Sequence, residues 1–421
     1  MKERTYMCID MKSFFASVEC AERGLNPMEA PLVVADETRG RGTICLAVSP
    51  KMKALGVKNR CRLFEIPGNL KYVIAPPRMQ KYIDYAAEIY GVYLDYLSKD
   101  DVYVYSIDES FIDCTEYLAL YKKSPREFAA FLINEIASRV RVPATAGVGT
   151  NLYLAKIALD ITAKRSPDRI GYLDEALFKK TLWEYRPLTD FWGIARGTAK
   201  RLAKYGVYTM RGIAECPESV LYREFGINAE LMIDHAFGRE TCTMPDIKNY
   251  RPKSKSVSSS QILFEDYTYG KAAVVFEEMV RGGCLELVRR RVIAGRISVN
   301  VGYSGGVCPS TGGSVKLPRS TALYDRIMPY AARLFETTTL KDVPVRRLSV
   351  GFDSLADEIA EGYDLFTNFE AEEKLKNLNA ATLNVQDKFG KNALFTAADL
   401  QEGATLRERN KLIGGHASGN E

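Results

Sequence analysis

Histidine is nearly absent from this chain: two in 421 residues, His235 and His416. That scarcity argues against a histidine-based triad or a His-rich metal site. The nine cysteines form no C-x-x-C pair, so no structural zinc site is expected and the thiols read as reduced, in a cytoplasmic protein. No run of about 18 apolar residues exists to span a membrane. The opening MKERTYMCID has no apolar stretch of the kind a signal peptide needs. No G-x-x-x-x-G-K-[ST] loop occurs, so phosphate binding would have to use scattered lysines and arginines.

Charge of one sign is also scarce overall, with a net of only +5. It is unevenly placed, however. Between Tyr250 and Leu355, 16 Lys and Arg face 9 Asp and Glu, leaving the rest of the chain slightly acidic. A basic module on such a body predicts a polyanionic partner, and nucleic acid is the favoured one. Length alone predicts two to four domains, and a hydrophobic content of 46% supports sizeable cores.

TYMCID, residues 5–10, reads as a buried strand ending at Asp10. Ser13 is placed to cap the following helix, and Gly24 to end it. PLVVAD and GTICLAVS read as strands, and PKMKALG as a short helix. Long helices are expected over about 78–98, 125–140 and 151–164, with a strand at ATAGVG. The opening region is therefore α/β or α+β. From about 174 to 240 the pattern is helical and short-jointed, with a glycine-rich turn at Gly193 before a helix carrying Lys200. NYRPKSKSVSSSQ reads as a polar linker. RISVNVGY alternates strictly and, with GGSVKLP and VRRLSVGF, predicts a sheet covered by helices near 270–289 and 321–336. The end, GHASGNE, is expected to be flexible.

VYVYSIDESFIDC, residues 102–114, sets Asp108 and Glu109 side by side among strand-forming residues. Neighbours in a regular strand point to opposite faces, and buried carboxylates need a partner or a metal. The stretch therefore predicts a tight hairpin with both acids at its tip. A solvated acidic turn is the other reading of these residues. Bringing Asp10 to the same place would give three acids around hard cations such as Mg²⁺. Two such ions can activate an attacking oxygen and stabilise a leaving one. Carboxylates with a basic sheet point to phosphoryl or nucleotidyl transfer on nucleic acid, with nuclease and polymerase both open.

CIDMKSFFASVE (8–19), KALGV (53–57), YSIDESFID (105–113), GVGTNLYLAKIA (147–158) and WGIARGTAKRLAKYGV (192–207) stand in an order that resembles the Y-family DNA polymerases, the error-prone translesion enzymes of the DinB/UmuC kind. The resemblance covers about residues 3–355, and the tail is most like the UmuC-type branch of Gram-positive bacteria. It implies a multidomain α/β and α+β right hand: palm 1–23 and 76–170, small fingers 24–75, helix-hairpin-helix-like thumb 171–240, an α/β little finger 250–355, and a C-terminal tail 356–421. It further implies a low-fidelity DNA polymerase that joins a dNTP to a primer 3′-OH, using two Mg²⁺ ions. Asp10, Asp108 and Glu109 match the metal-binding acids and Met11 the backbone ligand. Phe14 and Phe15 are expected at the nucleotide, with Phe15 matching the steric gate, and Lys53 and Lys164 match the triphosphate contacts. Arg346 and Arg347 match a DNA-backbone-binding strand, Lys253 and Lys255 are expected to add phosphate contacts, and the turn at Gly193 before the helix with Lys200 is expected to meet the DNA backbone as well. Leu365 and Phe366, in GYDLF, resemble a clamp-binding peptide. The implied partners are primer–template DNA, a sliding clamp and SOS accessory proteins.

Three positions depart from the family pattern. Lys12 stands where many members carry a second acid, Pro50 stands at a usual tyrosine, and Gly193-Ile194-Ala195 replaces the G-x-G turn. A non-catalytic DNA-binding factor recruited to the clamp would be expected to have lost one of the three acids, yet all three are present. A nuclease would leave Phe15 and the two lysines without a role.

Overall fold

The computed structural model describes residues 4–252, 255–362 and 367–419. The chain divides into two units, Met1–Tyr250 with His416–Glu421, and Arg251–Gly415.

The first unit is built on a five-stranded sheet in the order β5-β6-β1-β7-β8. Its centre is β1 (Tyr6–Met11), whose first four residues are fully buried, as a near-continuous apolar run requires of a strand covered on both faces. β1 runs antiparallel to β6 (Glu109–Asp113) and to β7 (Ala144–Gly149). β5 (Val102–Val104) pairs antiparallel with β6, and β8 (Ile170–Leu173) lies parallel to β7. Helices Met79–Leu94 and Pro125–Val140 cover one face, burying Tyr82, Tyr93, Phe128 and Ile136 against the strands. The second helix begins where Ser124 and Glu127 close a capping box with Pro125 at its first turn.

A three-stranded sheet in the order β3-β2-β4 is formed by β2 (Leu32–Val34), β3 (Ala47–Val48) and β4 (Val73–Ala75). The strand expected over GTICLAVS shortens to Ala47–Val48, with a separate bridge from Ile44 to Arg62. Over residues 175–236, short helices close around Phe178, Phe191, Leu202 and Met210.

The expected helix over 151–164 is also interrupted. It is α-helical over Leu152–Ile157, widens into a π turn over Ala158–Thr162, and ends in a 3₁₀ turn. This segment lies directly on β7. A Cβ at Gly147 would stand 2.1 Å from the Leu159 nitrogen, so glycine is what lets the two backbones meet.

The second unit is a four-stranded antiparallel sheet, β11-β10-β12-β9, formed by Thr311–Thr321, Val292–Tyr303, Val345–Asp357 and Val257–Tyr267. Ile297, Val299 and Val301 face its core as their alternation predicts. Helices Tyr269–Arg289 and Tyr324–Thr338 pack on that face. A further helix, Phe369–Phe389, has no clear apolar stripe in sequence and is held by ion pairs instead. Arg319 Nη2 lies 2.7 Å from Glu372 Oε1, and Lys376 pairs with Glu361. Glu278, buried, accepts the backbone N–H groups of Thr405 and Leu406 at 2.9 and 3.1 Å.

The expectation of a flexible end is corrected for His416–Gly419, which packs within the first unit against the start of the helix Met79–Leu94: the Gln80 N–H donates to the Ser418 carbonyl at 2.9 Å. Among the described residues no helix is long and apolar enough to cross a membrane, and the nine cysteines are free thiols.

Candidate active site

Strand register gathers the acids. Asp10 stands directly opposite Glu109 across β1 and β6. One residue on, the Met11 N–H donates to the Asp108 carbonyl at 2.9 Å. The chain reaches this point through a hairpin: the Tyr105 and Ser106 N–H groups both donate to the Glu109 carbonyl, at 2.9 and 3.0 Å, and Glu109 opens β6. Ser106 Oγ holds Asp108 Oδ1 at 2.7 Å. Asp10, Met11, Asp108 and Glu109 thus share one end of the central strands.

The charges interact strongly. Desolvation, then Asp108 and Glu109, push the Asp10 carboxyl up to about 7. Glu109 is buried and turned aside: its Oε1 lies 2.8 Å from Lys156 Nζ and 3.0 Å from Cys8 Sγ. Lys156 also reaches Asp160 at 3.1 Å. Burial disfavours the Lys156 cation, but the two carboxylates outweigh it and raise its pKa. Sequence reading missed Lys156, although it lies inside the quoted GVGTNLYLAKIA. Its four-residue spacing from Asp160 on a predicted helix was the available signal.

Among the described residues no three His, Cys, Asp or Glu side chains close into a ready ligand cage; Lys156 and Ser106 hold Glu109 and Asp108 to their own partners. The donor set nevertheless fits a hard divalent cation. It is all oxygen, and its mutual repulsion, felt at Asp10, is what a cation relieves.

A basic group stands beside the acids. Lys53 has its pKa lowered, first by desolvation and then by the positive charges of Lys12 and Lys164, with Asp10 opposing. Lys12 therefore adds to a positive cluster. Its own pKa is lowered by desolvation and by Arg169.

Phe14, expected at the nucleotide, is instead packed into the core, whereas Phe15 is half-buried with its ring stacked on Tyr82, centroids 4.5 Å apart. Ser13 occupies the cap position but does not cap: its backbone is left-handed at φ 50°, and its buried hydroxyl has no partner. The Lys12 N–H bond to the Pro143 carbonyl, at 2.8 Å, holds the chain in this turn. At position 50, Pro50 begins the helix Pro50–Ala54, capped by Ser49.

The remaining predicted residues lie elsewhere. Gly193 has φ 87° in an exposed turn before the helix Arg196–Ala203, where Lys200 is exposed. In the second unit Lys255 is exposed. A register shift between Val345 and Arg347 bulges β12, so that two consecutive arginines both reach solvent. Arg346 pairs with Asp266 at 3.5 Å, and Arg347 donates to Asn300 Oδ1 at 3.1 Å. Lys253, Leu365 and Phe366 lie outside the described residues.

Comparison with known proteins adds to this geometry. Residues 9–160 match the impB/mucB/samB family, and residues 254–365 match the impB/mucB/samB family C-terminal domain. The chain is 30% identical to UvrX of Bacillus subtilis (strain 168), a protein named for UV-damage repair, over 99% of this chain and 98% of that one. It is 31% identical to DNA polymerase IV 2 of the same strain over 99% of both. A solved Y-family DNA polymerase chimera, Dbh-Dpo4(243-245)-Dbh, shares the fold with a TM-score of 0.66 at 21% identity, covering 84% of this chain and 99% of that one.

Proposed function

The chain belongs to the impB/mucB/samB family of Y-family DNA polymerases, and on that premise we propose that it is a template-directed, low-fidelity DNA polymerase that copies past damaged bases. The observation that carries the reading is the register that sets Asp10 opposite Glu109 beside Asp108, next to the cluster of Lys12, Lys53 and Lys164. A nucleotidyl transfer site needs both: acids to hold cations, and cations to hold phosphates.

Asp10, Asp108, Glu109 and the Met11 carbonyl would hold two Mg²⁺ ions, which supply charge stabilisation to the attacking and leaving oxygens of a phosphoryl transfer. Lys12, Lys53 and Lys164 bind the dNTP triphosphate. Phe15, backed by Tyr82, occupies the space a 2′-OH would need and so selects deoxyribose. Lys156 orients the Glu109 carboxylate.

The five-stranded sheet supports a palm over 1–23 and 76–170, and the small sheet supports fingers over 24–75. The short helices support a thumb over 171–240, and the second unit's sheet a little finger over 250–355. Gly193, Lys200, Lys253, Lys255, Arg346 and Arg347 would contact the DNA backbone, positioning it without reading sequence. Leu365 and Phe366 would anchor a sliding clamp, and SOS accessory proteins would act with the enzyme.

The test is primer extension with Mg²⁺ and four dNTPs. Wild type is expected to extend, Asp108→Ala to lose at least about a thousandfold in rate, and Phe15→Ala to accept ribonucleotides. Wild type that shortens the primer, or binds DNA without extending it, overturns the reading.

A further inference from the structure

The segment His416–Gly419 has no part in the site as described, yet it packs against the residues that support Phe15. Four observations define the contact. The Ser418 carbonyl accepts the N–H of Gln80, one of the first N–H groups of the helix Met79–Leu94, which has no partner within that helix. Gly419, at φ +82°, lies so close to Arg78 that a Cβ there would stand 2.7 Å from the Arg78 Cβ. His416 is half-buried, with its charged form disfavoured first by desolvation and then by Arg39, Asp36 opposing. Arg78 itself grips Glu19 with two parallel bonds, Nε to Oε1 at 2.9 Å and Nη2 to Oε2 at 2.8 Å.

From Glu19 the contacts lead to the sugar gate. Glu19 is fully buried; burial disfavours its charge, but hydrogen bonds from Arg78, Arg23 and Tyr82 hold its pKa below the ordinary value. Tyr82 Oη donates to Glu19 Oε1 at 2.8 Å, and the Tyr82 ring carries Phe15. Removing one partner from a buried ion pair leaves an uncompensated charge, so Arg78 has to stay where it is for Tyr82 to keep its orientation. Gly419 and the Ser418 carbonyl fix the backbone on either side of that arginine's helix start.

We propose that His416–Gly419 positions the sugar gate: by holding Arg78 and Gln80 it sets the Glu19–Tyr82 support under Phe15 and thereby tunes selection of deoxyribose over ribose. These are positioning residues, since none touches the nucleotide. The proposal rests on the reading of Phe15 as the gate given above.

The test compares the full chain with a chain ended after Gly415 and with Gly419→Val, which crowds Arg78 but keeps the segment. Two readouts are taken. The first is the ratio of kcat/KM for dNTP to that for the matching rNTP. Both variants are expected to lose at least fivefold in this ratio, and a peptide of residues 412–421 is expected to restore it in the shortened chain. The second is hydrogen exchange at the Gln80 amide, expected to speed up at least tenfold on truncation while Tyr93, farther along the same helix, stays protected. Exchange at Gln80 unchanged by truncation overturns the docking. Faster exchange with the ratio unchanged within twofold overturns the link to the gate. A drop in kcat for both nucleotides with the ratio intact marks a purely structural role and also overturns it. Failure of the wild type to extend refutes the polymerase reading and the gate role with it, while exchange still decides the docking.

Discussion

Asp10 sits between two demands, since burial and then the carboxylates around it disfavour its charge while the proposed chemistry requires it. Its carboxyl is raised from an ordinary 3.8 to about 7. A group whose folded value lies above its unfolded one binds protons in the folded state, so the stability this group contributes is greatest below about pH 4 and is lost as pH rises towards 7. Ion-free Asp10→Asn removes that penalty. It is expected to be more stable than wild type at pH 8 by about 1–3 kcal/mol, discounted from about 1.4 per unit because Asp10 is partly exposed. The gain should shrink at pH 5 and disappear with Mg²⁺. Thermal unfolding in EDTA at both pH values checks this, and a gain equal at pH 5 and 8 contradicts it. Lys156 carries the opposite expectation. Its side chain and that of Glu109 are each 10% exposed, and Lys156→Met strands a buried carboxylate at a cost of about 3–5 kcal/mol. Mg²⁺ should recover part of that loss, and Glu109→Gln in the same chain most of it, as melting of the single and double variants would show. The acids were readable because adjacent carboxylates inside a strand-forming run have few physical explanations. Lys156 was harder to read, because a lysine on a helix is ordinarily exposed and its four-residue spacing from Asp160 marks an ion pair without marking it as turned inward.

Elements were readable where their ends carry chemistry. The helix Pro125–Val140 starts at a serine cap, a proline and a glutamate three residues on, and its bounds follow from those residues. The segment after Asn151 begins equally well, with the Asn151 side chain accepting the Leu154 N–H. Its π turn comes from contact with β7, which no local signal reports. Gly147 is the position that makes this contact possible. Gly147→Ala would drive a methyl group into the backbone of Leu159 and Ala155, and since neither can retreat without breaking the helix or the sheet, a loss of about 3 kcal/mol or more is expected, seen as insolubility or a large fall in Tm. Gly91 provides the contrast. It lies inside the helix Met79–Leu94 with nothing near its would-be Cβ, so Gly91→Ala is expected to stabilise by about 1 kcal/mol. The helix Phe369–Phe389 escaped sequence reading for a different reason. Only Glu372 and Leu383 are buried along it, so it lacks the apolar stripe that marks a helix in sequence.

At the scale of the whole molecule, the basic surplus is local to part of the second unit. The 16 Lys and Arg against 9 Asp and Glu lie between Tyr250 and Leu355, whereas the unit runs from Arg251 to Gly415. A local surplus is what a polyanion-binding surface needs, because phosphate binding depends on local rather than total charge. The bulge in β12 concentrates this charge by turning Arg346 and Arg347 out together. Their protein partners, Asp266 and Asn300, orient them without burying them. If each meets a phosphate, binding of a primer–template duplex should weaken with salt along a straight line in log–log form. Arg346→Ala and Arg347→Ala should each reduce its slope by roughly one, with the loss similar for any DNA sequence. Anisotropy titrations from 50 to 200 mM NaCl on two unrelated duplexes give both quantities. A slope unchanged in the double variant would mean that this end of β12 faces away from DNA, and that the positive charge between Tyr250 and Leu355 acts through other residues. A slope change on one duplex only would mean that the arginines contact bases, which a polymerase that copies any template cannot use.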